Sequence, residues 1–113
     1  MTLAAEAEID IEFYLGPSQV VRPGAGRAFD IGLLKVAIFR TRDRKLYAVE
    51  NRCPRSGVAL ASGNLVGCIV VCPLRCCTLD LRRGACLNEP FEQVRTFGIR
   101  EVEGQMLIRL EQR

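Results

Sequence analysis

The chemistry open to this chain of 113 residues depends on six cysteines and on the complete absence of histidine. The cysteines are Cys53, Cys68, Cys72, Cys76, Cys77 and Cys86. In a cytosolic protein, clustered cysteines indicate metal binding or thiol redox chemistry more often than a disulfide framework. Without histidine the chain lacks the commonest metal ligand and the usual general base near neutral pH. A histidine-dependent catalytic triad is therefore excluded.

Two Cys-Pro pairs, each followed closely by an arginine, are the most informative motifs. They read Cys53-Pro54-Arg55 and Cys72-Pro73-Leu74-Arg75. Cysteine framed by proline is typical of metal-binding loops. Arginine, in contrast, is a permanently charged donor with no free lone pair for a metal. The two loops therefore have the form of a metal site but contain residues that cannot serve as its ligands.

The segments that must position these loops are short strands. Apolar and polar residues alternate at period two, or form short β-branched runs, in a series of segments separated by turn residues. These segments are 9–13, 33–40, 45–50, 68–72, 78–81, 94–101 and 105–111, with predicted turns at 16–18, 23–26 and 103–104. The pattern predicts one all-β domain over residues 1–113, with residues 1–7 frayed and both cysteine loops leaving strand ends.

The two loops, taken together, resemble the Rieske signature. Cys53-x-Arg55, sixteen residues and Cys72-x-x-Arg75 match its spacing, with arginine at each position where that family has histidine. The resemblance extends from Val20 to Arg109 and is greatest to Rieske-type ferredoxins and to the small subunit of NAD(P)H-dependent nitrite reductases. It implies antiparallel sheets with two ligand-type loops projecting at one end. In that family two cysteines hold one iron of a [2Fe–2S] cluster and two histidines hold the other.

Arginine at both histidine positions implies that a standard Rieske cluster does not form, so no cofactor is expected. The simplest interpretation of Cys53, Arg55, Cys72 and Arg75 is a vestigial site. A second interpretation is a [2Fe–2S] cluster with non-standard ligands, using Cys76 or Cys77. Neighbouring side chains on an extended strand face opposite ways, which argues against both cysteines pointing at one site.

Two further chemistries use the same sulfurs. Tetrahedral zinc is one, although the paired CxxC spacing of many zinc sites is missing. The other is a redox switch, because Cys53 and Cys72 would both point at one vacated iron position and could form a disulfide. Cys68 and Cys86 are expected to be small buried hydrophobic residues.

The composition excludes several other functions. The formal charge is only +3, and the basic residues are spread along the chain without interleaved aromatic residues, which does not favour nucleic-acid binding. The chain shows neither a membrane-spanning run nor a signal peptide, so we expect a cytoplasmic protein. Paired carboxylates and a phosphate-binding glycine loop are also missing, and catalysis by the chain alone is not expected.

The expected function is therefore that of an accessory, cluster-less subunit that docks on a larger reductase. The resemblance places Arg55 and Arg75 at the exposed tip of the molecule, with Arg52 beside them. Guanidinium groups on converging loops could bind acidic or phosphate-bearing partners. The alternative is an electron-transfer ferredoxin with a [2Fe–2S] cluster held by cysteines.

Overall fold

The computed structural model describes residues 10–89 and 91–111, and the predicted fraying of residues 1–7 lies outside these ranges. Within them the chain forms ten strands and one short 3-10 turn at Ser18–Val20. The strands are β1 (Asp10–Pro17), β2 (Ala25–Ile31), β3 (Leu34–Arg40), β4 (Leu46–Glu50), β5 (Asn64–Val66), β6 (Ile69–Val71), β7 (Thr78–Asp80), β8 (Ala85–Cys86), β9 (Thr96–Val102) and β10 (Gln105–Glu111). No helix in the described part of the chain is long and apolar enough to cross a membrane. The all-β prediction is confirmed.

The larger sheet has six strands in the order β1-β10-β9-β4-β3-β2, and all of its pairs are antiparallel. The sheet is curled. Strands β3 and β10 are three strands apart in the sheet, but their side chains pack into the same core. Ile38 on β3 and Ile108 on β10 are both fully buried there. This core supports the framework but is remote from the cysteines.

Strand β3 has both faces buried, as its continuous apolar sequence predicts. Val36 and Ile38 face the first core, whereas Ala37 and Phe39 face a second core. The second core also contains four of the cysteines: Cys53, Cys72, Cys77 and Cys86. Strand β3 therefore joins the framework to the cysteine-bearing half of the molecule.

The smaller sheet has four strands in the order β5-β6-β7-β8. Its strands have only two or three residues each, and its apolar face packs on the second core through Val70 and Leu79. The predicted strands at 68–72 and 78–81 are confirmed as β6 and β7, each slightly shorter than predicted. The first cysteine loop joins β4 of the larger sheet to β5 of the smaller one, and the second joins β6 to β7.

The two ends of the larger sheet are distinct. Strands β3 and β4 pair from Arg40 with Leu46 at one end to Val36 with Glu50 at the other, and Cys53 follows from the second end. At the first end the buried Arg40 guanidinium donates to the carbonyl oxygens of Val21 (2.8 Å) and Ser18 (2.9 Å). The segment around Ser18 and Val21 therefore lies at the end opposite the cysteine loops.

Several boundaries differ from the sequence predictions. Strand β1 continues through Pro17, and β2 includes Ala25 and Gly26, where turns were predicted. Proline is tolerated at the end of an edge strand, and Gly26 is needed because a Cβ there would lie 2.5 Å from the Phe39 ring. Strands β2, β5 and β8 were not predicted. Strands β5 and β8 are too short to show periodicity, and β2 begins with residues typical of turns.

Candidate metal centre

The first cysteine loop is closed by its own backbone hydrogen bonds. The Cys53 amide donates to the Val58 carbonyl oxygen (2.7 Å), and the Gly57 amide donates to the Cys53 carbonyl oxygen (2.8 Å). The Asn51 side-chain oxygen accepts from the amides of Leu60 (2.7 Å) and Ala61 (2.9 Å). The loop is therefore fixed at its start and at its end, and Cys53 is fully buried.

The second cysteine loop is a tight connection between β6 and β7. The Arg75 amide donates to the Cys72 carbonyl oxygen (2.7 Å), and the Cys72 amide donates to the Cys77 carbonyl oxygen (2.9 Å). Arg75 has φ 62°, a left-handed conformation that reverses the chain direction. This turn brings Cys72 and Cys76 to the same side.

Three thiols from the two loops meet. The Sγ atoms of Cys53, Cys72 and Cys76 all lie within 4.8 Å of one another. The Cys53 and Cys76 sulfurs are 3.7 Å apart, and the Cys76 and Cys72 sulfurs are 3.8 Å apart. The Ser56 hydroxyl oxygen lies 3.6 Å from the Cys72 sulfur. We call these three cysteines the thiol group; thiols in such a group are the ligand type of soft metal ions and iron–sulfur clusters.

The thiols of this group differ in acidity. Burial alone would raise the pKa of Cys53, but hydrogen bonds from the Ser56 hydroxyl and from the Ser56 and Arg55 amides outweigh it and lower the pKa to about 6. For Cys76 the Ser56 hydrogen bond, which lowers the pKa, is outweighed by burial and by the adjacent Cys53 and Cys72 sulfurs, so its pKa is raised. Cys53 is therefore a stronger acid than Cys76.

Cys77 is not a member of the thiol group, although it is adjacent to Cys76 in sequence. It is buried in the second core against Cys86, and burial raises the pKa of its thiol. The alternation expected of neighbouring side chains thus holds for Cys76 and Cys77. Cys86 is buried as predicted, whereas Cys68 is half-buried. All six cysteines are free thiols.

The three predicted docking arginines have different surroundings. Arg52 pairs with Glu50 (3.5 Å), and Arg55 pairs with Glu92 (3.5 Å) and with Glu89 at the longer distance of 3.9 Å. Arg75 makes no ion pair within residues 10–89 and 91–111. The charge of Arg55 is therefore partly balanced, and that of Arg75 is not.

Comparison with known proteins shows the family to which the chain belongs. Residues 15–109 match the model of the Rieske-like [2Fe–2S] domain. The chain belongs to the Rieske-like family. It is 36% identical over 76 residues to the anthranilate 1,2-dioxygenase ferredoxin subunit of Burkholderia cepacia, covering 66% of this chain and 69% of that subunit.

Solved structures agree with this assignment. A Mycobacterium tuberculosis protein described as an NADH-dependent nitrite reductase small subunit has a TM-score of 0.83 and 25% identity, covering 90% of this chain and 96% of its own. A chain from the complex of oxygenase and ferredoxin in carbazole 1,9a-dioxygenase has a TM-score of 0.78 and 23% identity, covering 91% and 96%. The Rieske-like fold predicted from the two loops is confirmed.

The donor set of this Rieske-like chain does not fit the ligation described for a Rieske cluster. With no histidine in the sequence, a second iron cannot receive two imidazole ligands. The three sulfurs do not replace them, because ligands on opposite irons are separated by the length of the Fe₂S₂ unit. Sulfurs that all lie within 4.8 Å of one another surround one metal position.

Two features of the Rieske-like loops were not predicted. Ser56 turns into the thiol group, and nothing in its spacing from Cys53 indicated this. A third segment, residues 87–89 and 91–92, lies against the loops, and we call it the covering segment. The Asn88 side-chain oxygen accepts a hydrogen bond from the Thr78 amide (2.7 Å), and Glu89 and Glu92 contact Arg55. In the sequence, the only signal for this segment is the run Asn88-Glu89-Pro90, shortly after Cys86.

Proposed function

We propose that this Rieske-like chain is an accessory subunit that docks on a larger oxidoreductase and carries no [2Fe–2S] cluster. The chain would bind and orient its partner rather than carry electrons to it. The proposal combines the chemistry of the loops with the assemblies in which related proteins occur.

The observation that carries the proposal is the contact made by Arg55. Arg55 lies at a position where the Rieske family has histidine. Its guanidinium contacts Glu89 and Glu92 on the covering segment. An arginine that ties two surface segments together has a structural use that an iron ligand would not have. Arg75 lies at the other position where the Rieske family has histidine, and it is exposed.

The proposed partner class comes from the relatives. One is the ferredoxin subunit of a dioxygenase, and another comes from a complex of an oxygenase with its ferredoxin. A third is described as a nitrite reductase small subunit. Each is a component of a larger oxidoreductase, and we infer the same for this chain, with a reductase of the nitrite type as the first candidate.

Metal and sulfide analysis tests the absence of a cluster. Protein purified without oxygen should be colourless, with neither iron nor acid-labile sulfide at stoichiometric levels. The double variant Arg55→His and Arg75→His, reconstituted in parallel, restores the Cys₂His₂ donor set and serves as the positive control. Reddish-brown wild-type protein with about two iron atoms per chain would contradict the proposal.

The alternative function is an electron-transfer ferredoxin with a [2Fe–2S] cluster held by cysteines. In that case the wild-type protein would show iron, sulfide and a reversible change in visible absorption on reduction. The same preparation therefore separates the two functions.

A further inference from the structure

We propose that the thiol group binds a single thiophilic metal ion of the zinc class, with Cys53, Cys72 and Cys76 as ligands and the Ser56 hydroxyl at the fourth position. The site would be structural, fixing the two loops relative to each other. This inference does not depend on a docking role, because it concerns only the interior of the loops.

The distances between the sulfurs agree with one tetrahedral ion. A zinc–sulfur bond of about 2.3 Å places sulfurs at the corners of a regular tetrahedron about 3.8 Å apart. The Cys53–Cys76 and Cys76–Cys72 separations are 3.7 and 3.8 Å. The third edge, from Cys53 to Cys72, lies within 4.8 Å and would need only a small adjustment at most.

Ser56 occupies the remaining corner. A zinc–oxygen bond of about 2.0 Å at that corner would place its oxygen about 3.5 Å from each sulfur. The Ser56 oxygen lies 3.6 Å from the Cys72 sulfur, which matches one such edge. The Ser56 hydroxyl therefore supplies the fourth donor of the proposed site.

The donors are held in place before any ion binds. Backbone hydrogen bonds close both loops, at Cys53–Val58 and at Cys72–Cys77. Little conformational entropy therefore remains to be lost on binding.

The charges favour an ion at this position. Three thiolates with one divalent cation leave one negative charge. Arg55 follows Cys53 by two residues, and Arg75 directly precedes Cys76, so each loop carries a cation near its ligands. Glu89 and Glu92 already balance part of the Arg55 charge, so Arg75, which makes no ion pair in residues 10–89 and 91–111, is the better placed of the two to offset the charge of a metal thiolate site.

Titration with Co²⁺, followed by displacement with Zn²⁺, tests the site in fully reduced protein without oxygen. We expect one Co²⁺ per chain, with sulfur-to-cobalt charge-transfer absorption and the strong visible bands of tetrahedral cobalt, both lost when Zn²⁺ is added. Zinc should also raise the unfolding temperature, because it binds the folded chain more tightly than the unfolded one.

Three variants identify the ligands. Cys76→Ala should lose about a third of the charge-transfer intensity and at least about tenfold in affinity. Ser56→Cys should gain intensity and affinity, because it supplies a fourth thiolate. Cys68→Ala is the matched control, since Cys68 lies outside the thiol group, and its titration should equal that of the wild type.

Some results would overturn the proposal. These are the absence of tetrahedral bands at excess Co²⁺, a Cys76→Ala titration equal to that of the wild type, or a loss of signal in Cys68→Ala. Ser56→Cys changes an exposed residue and keeps the test decisive even if Cys76→Ala folds poorly. Two irons with labile sulfide in the native protein would also overturn it. A failure of partner docking would leave it intact.

Discussion

At the scale of single residues, one amide side chain determines the position of the first loop. Asn51 directly follows β4, and its side-chain oxygen accepts from two consecutive amides, those of Leu60 and Ala61. Leu60 is fully buried, so its amide has no access to water if this acceptor is lost. The eight residues between Asn51 and Leu60 contain Cys53 and Ser56, two donors of the proposed site.

Asn51→Ala should therefore lower the free energy of unfolding by about 2 kcal/mol, because at least one buried amide loses its partner. Asn51→Asp is the matched control, since a carboxylate accepts from both amides and should retain most of the stability. Urea unfolding of the three proteins measures the difference. Equal losses in both variants would show that the amide hydrogen bonds are not the cause.

At the scale of elements, the small sheet is attached to the large one at Gly84, between β7 and β8. The Val94 amide, just before β9, donates to the Gly84 carbonyl oxygen (2.8 Å), and the Gly84 amide donates to the Asp80 carbonyl oxygen (2.7 Å). Gly84 has φ 72°, and a Cβ there would lie 2.4 Å from the Val94 carbonyl oxygen. Only glycine allows this close approach.

Gly84→Ala should cost about 3 kcal/mol or more, because left-handed strain adds to a clash with backbone. Gly67→Ala is the control: Gly67 has φ 60°, but a Cβ there meets nothing within 4 Å. It should cost only about 1 kcal/mol. Thermal or urea unfolding distinguishes the two, and similar costs would mean that the attachment at Gly84 tolerates a side chain.

At the scale of the whole molecule, the loop end exposes several large apolar side chains. Leu74, Leu87 and Phe91 on the loops and the covering segment are 63%, 52% and 96% exposed. Arg75 adds a charge with no ion pair in residues 10–89 and 91–111. Exposed apolar side chains beside such an arginine suit a docking surface better than a purely basic one would.

Arg75→Glu should weaken binding to the cognate large subunit at least about tenfold at low salt, mainly by slowing association. Arg22→Glu is the control, because Arg22 lies next to Val21 at the opposite end of the larger sheet. Titration calorimetry or surface-plasmon resonance gives the constants. Equal affinities for the Arg75 variant and the wild type would show that the loop end is not part of the docking surface.

Much of the fold could be predicted from local patterns. Alternation and β-branched runs indicated β1, β3, β4, β9 and β10, because these strands are long enough to show a period. Strands β6 and β7 were also indicated, because they lie within longer apolar or alternating segments. Strand β5 has only three residues between Gly63 and Gly67, and β8 has only two residues, so neither shows a pattern. Strand β2 was missed because Ala25 and Gly26 look like turn residues, although Gly26 is required for packing against Phe39.

The sequence by itself determined the chemistry that this protein can perform: no imidazole ligand, six cysteine thiols, two loops of Rieske-like spacing and arginine where that family has histidine. These properties follow from residue types and their order alone. The tertiary structure decided which sulfurs meet, that Ser56 joins them, and that Glu89 and Glu92 engage Arg55. These contacts join segments far apart in the chain, and their distances depend on how the two sheets pack rather than on any local pattern.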